Sequence, residues 1–367
     1  MALFSRRSKN QPDDSANQPD EHAEVPVDAD TTLSGVHEDV SAAVAAEEAD
    51  RGPEEAVPHV PISVSTYGQT ARPAAAQPAS ASTAGAPALP PVPAEAPVRT
   101  EGHAGMPDNT LLLAALAGLP ETPDNAAILN VMRQALQGTL YLRVLGDARA
   151  QLKEGAPLRL AISTLGDKKF LLAYSGAAGI QAGVAVDPDT STSILGQPTQ
   201  SVLRNAIDAG YDGLIIDHAG PGRRIILPTA LLTRTLEQAD PEFTIKNLLS
   251  DARTDATARY VVEALLKTPV WIAAGTRSDG EGLGIAEARS ADGVRYLQVF
   301  SHPLEVLALR RDDRPLPITV AQLATALASD PALSGVLVDA AGPWIRLDRA
   351  QLAPLLAFAE TDAGAAE

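Results

Sequence analysis

The sequence predicts an α+β fold: two tandem copies of a mainly antiparallel five-stranded sheet packed with helices, set behind a long N-terminal tail. Three observations predict it. One short pattern occurs twice, GLIIDHAGP at Gly213–Pro221 and GVLVDAAGP at Gly335–Pro343, about 120 residues apart. Each copy is an apolar run that ends in Asp and a Gly-Pro step, which reads as a buried strand closed by a tight turn. A repeat at that separation signals an internal duplication. The remaining segments follow the order α-α-β-β-β-α-α-β-β-α in each half, which puts helices on a largely antiparallel sheet.

Residues 1–106 read as a disordered tail. They are rich in Pro, Ala, Ser, Asp and Glu and contain only Phe4 and Tyr67 as aromatics, too little apolar surface to offset the entropy of ordering. Within the tail, Arg72–Pro97 is a Pro/Ala linker of polyproline character. Asp39–Asp50 has the composition of a transient helix. Thr31 and Thr32 follow acidic residues, and a phosphate there would act only through a basic pocket that reads it.

The first unit is expected over residues 107–240. Asp108 or Asn109 caps a helix carrying Leu111, Leu112 and Leu116 that ends at Gly118, and Asp124 or Asn125 starts a second with Ile128, Leu129, Met132 and Leu136 on one stripe. Thr139–Leu145 and Leu158–Thr164 alternate as strands, and Gly166-Asp167 turns into Phe170–Ser175. Helices at Ala177–Ala185 and Ser201–Ala209, the hairpin and a helix at Thr229–Gln238 complete it. The second unit, residues 241–360, repeats the order. A helix at Asp255–Lys267 precedes strands at Val270–Ala274, Leu283–Ala288 and Tyr296–Ser301, the last two joined by a turn at Asp292-Gly293. Helices at Pro303–Leu309 and Val320–Ala328, the second hairpin and a helix at Arg349–Phe358 follow. Residues 361–367 read as a disordered end.

Composition narrows the function. A net charge of −17 argues against nucleic acid and against an anionic membrane surface as partners, since both need a basic face. With no cysteine there are no disulfides, thiolate metal sites or cysteine nucleophiles. No run approaches the roughly 18 apolar residues of a membrane span, and MALFSRRSKN has no apolar stretch behind its charges, so a cytoplasmic protein is expected.

No constellation for catalysis, cofactor or metal stands out. Of six histidines, only His218 and His302 fall in the folded part, neither in a metal-binding spacing. Asp217-His218 near Ser175 or Ser201 resembles a nucleophile relay, but the second copy has Ala340 in place of His218 and no G-x-S-x-G occurs. A solvent-facing turn histidine is the plainer reading. Gly275, Gly280, Gly282 and Gly284 lack the Gly-Lys-Ser/Thr of a phosphate loop and lie beside acidic Asp279 and Glu281, so a hairpin loop is expected. Arg310–Arg314 is mixed in sign and reads as a solvated loop. Asp217, Gly220, Pro221 and their counterparts Asp339, Gly342, Pro343 read as structural turn residues. Each Asp is expected to close its own turn and each Gly to hold a positive φ.

Several residues together resemble the SseB family, named for enhanced serine sensitivity. They are an Asn-x-x-Leu helix start, a Leu-Tyr-Leu strand, an aromatic strand ending in Ser (FLLAYS, YLQVFS), the Gly-apolar hairpin and a closing Leu-rich helix. The resemblance spans Asn109 to Phe358. Family hairpins commonly read Asn-Pro-Gly where this chain has Asp217-His218-Ala219-Gly220-Pro221 and Asp339-Ala340-Ala341-Gly342-Pro343, which sets aside any role tied to that Asn. The resemblance implies an α+β module, often paired in actinobacterial members. It also implies a cytoplasmic protein without an agreed active site and, in some members, an association with secretion loci.

The expected function is therefore a non-enzymatic binding or regulatory protein with a protein partner. Two alternatives stand beside it: an enzyme with a site between the units, and a chaperone-like accessory of a secretion or translation assembly. Comparing the copies marks one candidate partner site. Ile345 and Leu347 match Ile225 and Leu227 and face inward, which turns Trp344 and Arg346 to the other face. Trp and Arg are the residue types that most often anchor interfaces.

Overall fold

A computed structural model of the chain describes residue 90 and residues 92–187, 191–220, 224–276 and 283–364. The expectations for residues 1–89, Pro221, Asp279, Gly280, Glu281, Gly282 and 365–367 lie outside the described residues.

In the first unit, helices α1 (Thr110–Ala117) and α2 (Asn125–Ala135) start at Asn109 and Asp124, whose side chains accept from the N–H of Leu112 and Ala127. These are N-cap bonds of the expected kind. Strand β3 (Thr139–Leu145), helix α3 (Ala148–Lys153), β4 (Ile162–Leu165), β5 (Lys168–Tyr174), α4 (Ala177–Ala185), β6 (Thr192–Pro198), α5 (Thr199–Asp208), β7 (Gly213–Ile216), β8 (Ile225–Pro228) and α6 (Thr229–Glu237) follow. The sheet order is β6-β3-β5-β7-β8, with β4 also on β5.

The second unit comprises α7 (Thr244–Ser250), α8 (Thr257–Leu265), β9 (Val270–Thr276), β10 (Leu283–Ile285), β11 (Glu287–Arg289), β12 (Arg295–Phe300), α9 (Pro303–Leu307), β13 (Arg314–Ile318), α10 (Val320–Ser329), β14 (Leu333–Val338), β15 (Ile345–Asp348) and α11 (Ala353–Gly364). Its strands pair in the same sequence, β13-β9-β12-β14-β15, with β10 on β9 and β11 on β12. The class is α+β, with two sheets of like winding. Each sheet is antiparallel except for one parallel pair, β5–β7 and β12–β14.

The sheets hold six and seven strands instead of five. The extra edge strand is β6 in the first and β13 in the second. Pro315 and Pro317 argue against a strand, yet β13 pairs only with β9, and an edge position tolerates a residue that cannot donate. In the second sheet the expected Leu283–Ala288 strand also divides into β10 and β11.

Each sheet buries both faces. On the first, α1, α2, α5 and α6 bring Leu112, Met132, Leu203 and Leu232 onto Leu140, Leu142, Leu171 and Leu214. The opposite face, Tyr141, Phe170, Leu172, Tyr174 and Ile215, lies under Ile180 of α4 and Met106. Phe243 and Leu304, both beyond the first unit, join its core cluster, so the two units share apolar contact.

The tail boundary at residue 106 is set too late. Strands β1 (Glu101–His103) and β2 (Met106–Pro107) pair with each other, and the Pro107 carbonyl accepts from the Tyr141 hydroxyl at 2.8 Å. Upstream, Arg99 pairs with Asp251 at 2.5 Å. A segment with no core of its own is thus held by surface that the folded units supply. The last helix likewise runs from Ala353 to Gly364, past its expected end at Phe358 and past the expected unit boundary at residue 360.

Candidate functional site

The side chains of the repeated aspartates do not close their own turns. Asp217 and Asp339 stand just past β7 and β14 in left-handed conformation, φ 49° and 55°. That geometry turns each carboxylate onto the end of the neighbouring parallel strand. Asp339 accepts from the Ser301 N–H at 2.7 Å and from its hydroxyl at 2.6 Å. Asp217 accepts from the N–H of Ser175 at 3.0 Å and also from its hydroxyl. These clamps tie β5 to β7 and β12 to β14 where a parallel pair has no hairpin to join it. Burial pushes both carboxyls up, Asp339 to about 7 with Glu305 adding to the rise; the serine bonds pull the other way.

The expected positive φ at the turn glycines holds for Gly342, φ 79°, and not for Gly220. In both turns the glycine N–H returns to the aspartate carbonyl, Gly220 to Asp217 at 3.0 Å and Gly342 to Asp339 at 2.8 Å. His218 is also not solvent-facing: it is 9 % exposed and packs edge-on to Tyr174.

Between the units lies a cluster that the sequence did not suggest. Glu305 on α9, fully buried, pairs with Arg133 of α2 at 2.9 Å and with Lys246 of α7. Burial alone would raise its carboxyl, but the two cations outweigh that and hold it below the usual range. Arg133 also donates to the Gly342 carbonyl at 2.8 Å. His302 joins the seam with Nε2 donating to the Thr235 carbonyl at 3.1 Å and Nδ1 accepting from the Leu304 N–H. That bonding fits a neutral ring, and burial depresses its pKa to about 4. The Gly138 N–H donates to Asn247 Oδ1 at 2.9 Å. Glu305, Arg133, Lys246 and His302 of this seam are bonded to one another or to backbone.

Trp344 and Arg346 do face away from Ile345 and Leu347, but Trp344 is not open. It packs with Phe300, Leu337 and Ala340, and the chain's own segment at Val92–Ala94 crosses it. The Trp344 indole N–H donates to the Val92 carbonyl at 2.9 Å and its backbone N–H to the Ala94 carbonyl at 2.9 Å. Arg253 adds a bond from Nη2 to the Ala94 carbonyl at 3.1 Å. Gly342 is pressed beneath: a Cβ there would lie 2.9 Å from Val92. Pro343 is buried beside it. Arg346 is exposed, stacked 5.5 Å from the Tyr296 ring and 3.5 Å from Asp348. Sequence reasoning found Trp344 from the mismatch between copies and missed Arg253 and the strap. A Pro/Ala linker carries no periodicity to announce where it docks.

Among the described residues, no three His, Cys, Asp or Glu side chains gather in a way that could hold a metal ion. No described helix is long and apolar enough to cross a membrane.

Comparison with curated proteins finds no match, nor does comparison with solved structures. One family model does match, described as the SseB protein N-terminal domain, over residues 245–353. That span runs from α7 to the start of α11 and includes the whole sheet, the Ser301–Asp339 clamp and Trp344. The second unit is thus matched by an SseB-type domain.

Proposed function

We propose that this chain is a non-enzymatic cytoplasmic binding protein, built from two SseB-type modules, whose second unit holds an extended proline-containing peptide. The observation that carries the reading is the set of three N–H donors on Trp344 and Arg253 aimed at the carbonyls of Val92 and Ala94. Among the described residues, no backbone N–H from Val92 to Arg99 donates to this surface. A site that reads carbonyls alone costs proline nothing, since proline lacks only the N–H. Extended proline-rich segments are also ordered in advance, which lowers the entropy lost on docking. Ala94 and Ala96 are half-buried while Pro93, Glu95 and Pro97 are exposed, so small side chains face the surface. Held by few bonds and largely exposed, the strap is exchangeable for a peptide in trans.

The test compares the full chain with one beginning at residue 98, using a fluorescent peptide of residues 88–98 and anisotropy. The shortened chain should bind, and the full chain should bind at least about tenfold more weakly, because its own strap competes at high effective concentration. Trp344→Phe removes one donor and should weaken binding about two- to tenfold. No binding by a shortened chain that melts normally would make the strap a part of the fold and nothing more. A chaperone-like accessory is the second reading, favoured because main-chain recognition tolerates many sequences. It requires unrelated extended peptides to bind equally well.

A further inference from the structure

The two sheets bury the same face under a helix, and in the second the buried set is apolar. Strand register aligns the two faces. Tyr141 opposes Tyr174 as Trp271 opposes Phe300, so Tyr174 corresponds to Phe300 and Arg143 to Ala273. The two clamps align Asp217 with Asp339, hence His218 with Ala340. Ala273, Phe300 and Ala340 form one buried apolar cluster with Val306 and Leu337. The fold therefore has no need of polar groups at these positions.

The first unit places Arg143, Tyr174 and His218 there. Arg143 and Tyr174 are fully buried. Among the described residues, the Tyr174 hydroxyl and both His218 ring nitrogens make no hydrogen bond within 3.5 Å, while the Arg143 guanidinium lies beside that hydroxyl. A buried polar group left unbonded destabilises the fold, so three such atoms in one spot mark a place where something else belongs. Gly183 of α4 closes the spot from above: a Cβ on it would lie 2.8 Å from the Tyr174 hydroxyl and 3.1 Å from the His218 ring. Asp187, just past α4, reaches in and pairs with Arg143 at 2.5 Å, and Arg143 Nε donates to Thr192 Oγ1.

The charges nearby define what would fit. Arg143 and Arg224 both act on His218 from outside its own turn; Asp187 opposes them, and Asp217 is occupied by Ser175. Burial, then the two arginines, hold the imidazole neutral, which leaves it one N–H donor and one acceptor. A phenol hydroxyl, an imidazole N–H and a guanidinium held next to one another are donors for a carboxylate. The Asp187 carboxylate already occupies the guanidinium.

We propose that Arg143, Tyr174 and His218 form a site for a small carboxylic acid, whose carboxylate takes the place that Asp187 holds on Arg143. The site is independent of the Trp344 groove and stands whether or not that groove binds peptide.

The test follows the His218 ring signals of the full chain, labelled with 13C-histidine and assigned by His218→Ala, during titration with sodium acetate. Sodium chloride and sodium phosphate serve as controls at equal ionic strength. Acetate should shift the His218 signals saturably, with half-saturation between about 0.1 and 10 mM, as four heavy atoms allow. Asp187→Asn should lower that concentration at least fivefold. Tyr174→Phe with His218→Ala copies the second unit at those two positions, so it should keep its melting temperature without acetate and lose the acetate response, read as acetate-dependent Tm. Three outcomes would each overturn the proposal: no saturable shift with acetate in either wild type or Asp187→Asn, an equal response to chloride or phosphate, or an unchanged acetate-dependent Tm in the double variant.

Discussion

Replacing Asp339 by Asn tests how the parallel strands are clamped. The Asp339 carboxyl is buried, and its pKa stands at about 7, against roughly 3.9 in an unfolded chain. Between those values the folded state holds a proton that the unfolded state has released. The folded state then binds more protons, so stability falls as pH rises through this window. Asn keeps the shape and a partner for both Ser301 bonds but does not titrate. From the two values, wild type should lose about 2–3 kcal/mol relative to Asp339→Asn between pH 5 and pH 8. For a chain of this size that is about 5–10 °C in Tm. Glu305 and His302, whose pKa values are lowered, act in the opposite sense: their contributions are lost as pH falls. Both are present in both proteins, so the difference between them isolates Asp339. The assay is differential scanning calorimetry of the pair across that range. Parallel curves, within about 0.5 kcal/mol at every pH, would refute the clamp as a buried titrating group.

Glu305→Gln leaves Arg133 and Lys246 buried without a counter-charge and should cost about 3–5 kcal/mol in urea melts. Calorimetry should then separate the units into two transitions. Gly335→Ala would set a Cβ 2.0 Å from the Leu347 carbonyl oxygen, and overpacking against rigid backbone should cost about 1–3 kcal/mol. Gly342→Ala should cost about 1–2 kcal/mol for its left-handed backbone and should loosen the strap, detected as faster proteolysis near residue 92. Gly220→Ala, free of the left-handed requirement, should cost less than Gly342→Ala by denaturant midpoint.

What could be read in advance was what local chemistry dictates. Asn109 and Asp124 announce their helices, Thr139–Leu145 matches β3 residue for residue, and the paired hairpins mark both β7–β8 and β14–β15. Misreadings share one cause, that the deciding partner is remote in sequence. Asp217 and Asp339 looked like turn closers because their serines lie 42 and 38 residues upstream. Edge strands β6 and β13 were missed because an edge asks little of its sequence, and β13 even admits two prolines. Arg143 lies opposite Leu140, Leu142 and Val144 in an alternating strand, yet it is fully buried because the sheet is covered on both faces. Arg133, Lys246 and Glu305 carry no local signal, since each is explained only by the others. Trp344 stood out from a difference between the two hairpins, but the Val92–Ala94 segment that covers it did not.

The Ser–Asp clamp has a consequence for recognising relatives of this chain. Its two members lie far apart in sequence, yet each has a fixed local setting: a serine closing an aromatic strand, and an aspartate ending a Gly-apolar run. Together they make a two-part fingerprint that survives loop insertions, because neither part depends on the length between them. Either residue without the other leaves a buried carboxylate or a strand end unbonded, so drift should remove both or neither. A sequence that keeps the serine and has lost the aspartate would therefore be expected to have rebuilt that strand crossing by another means.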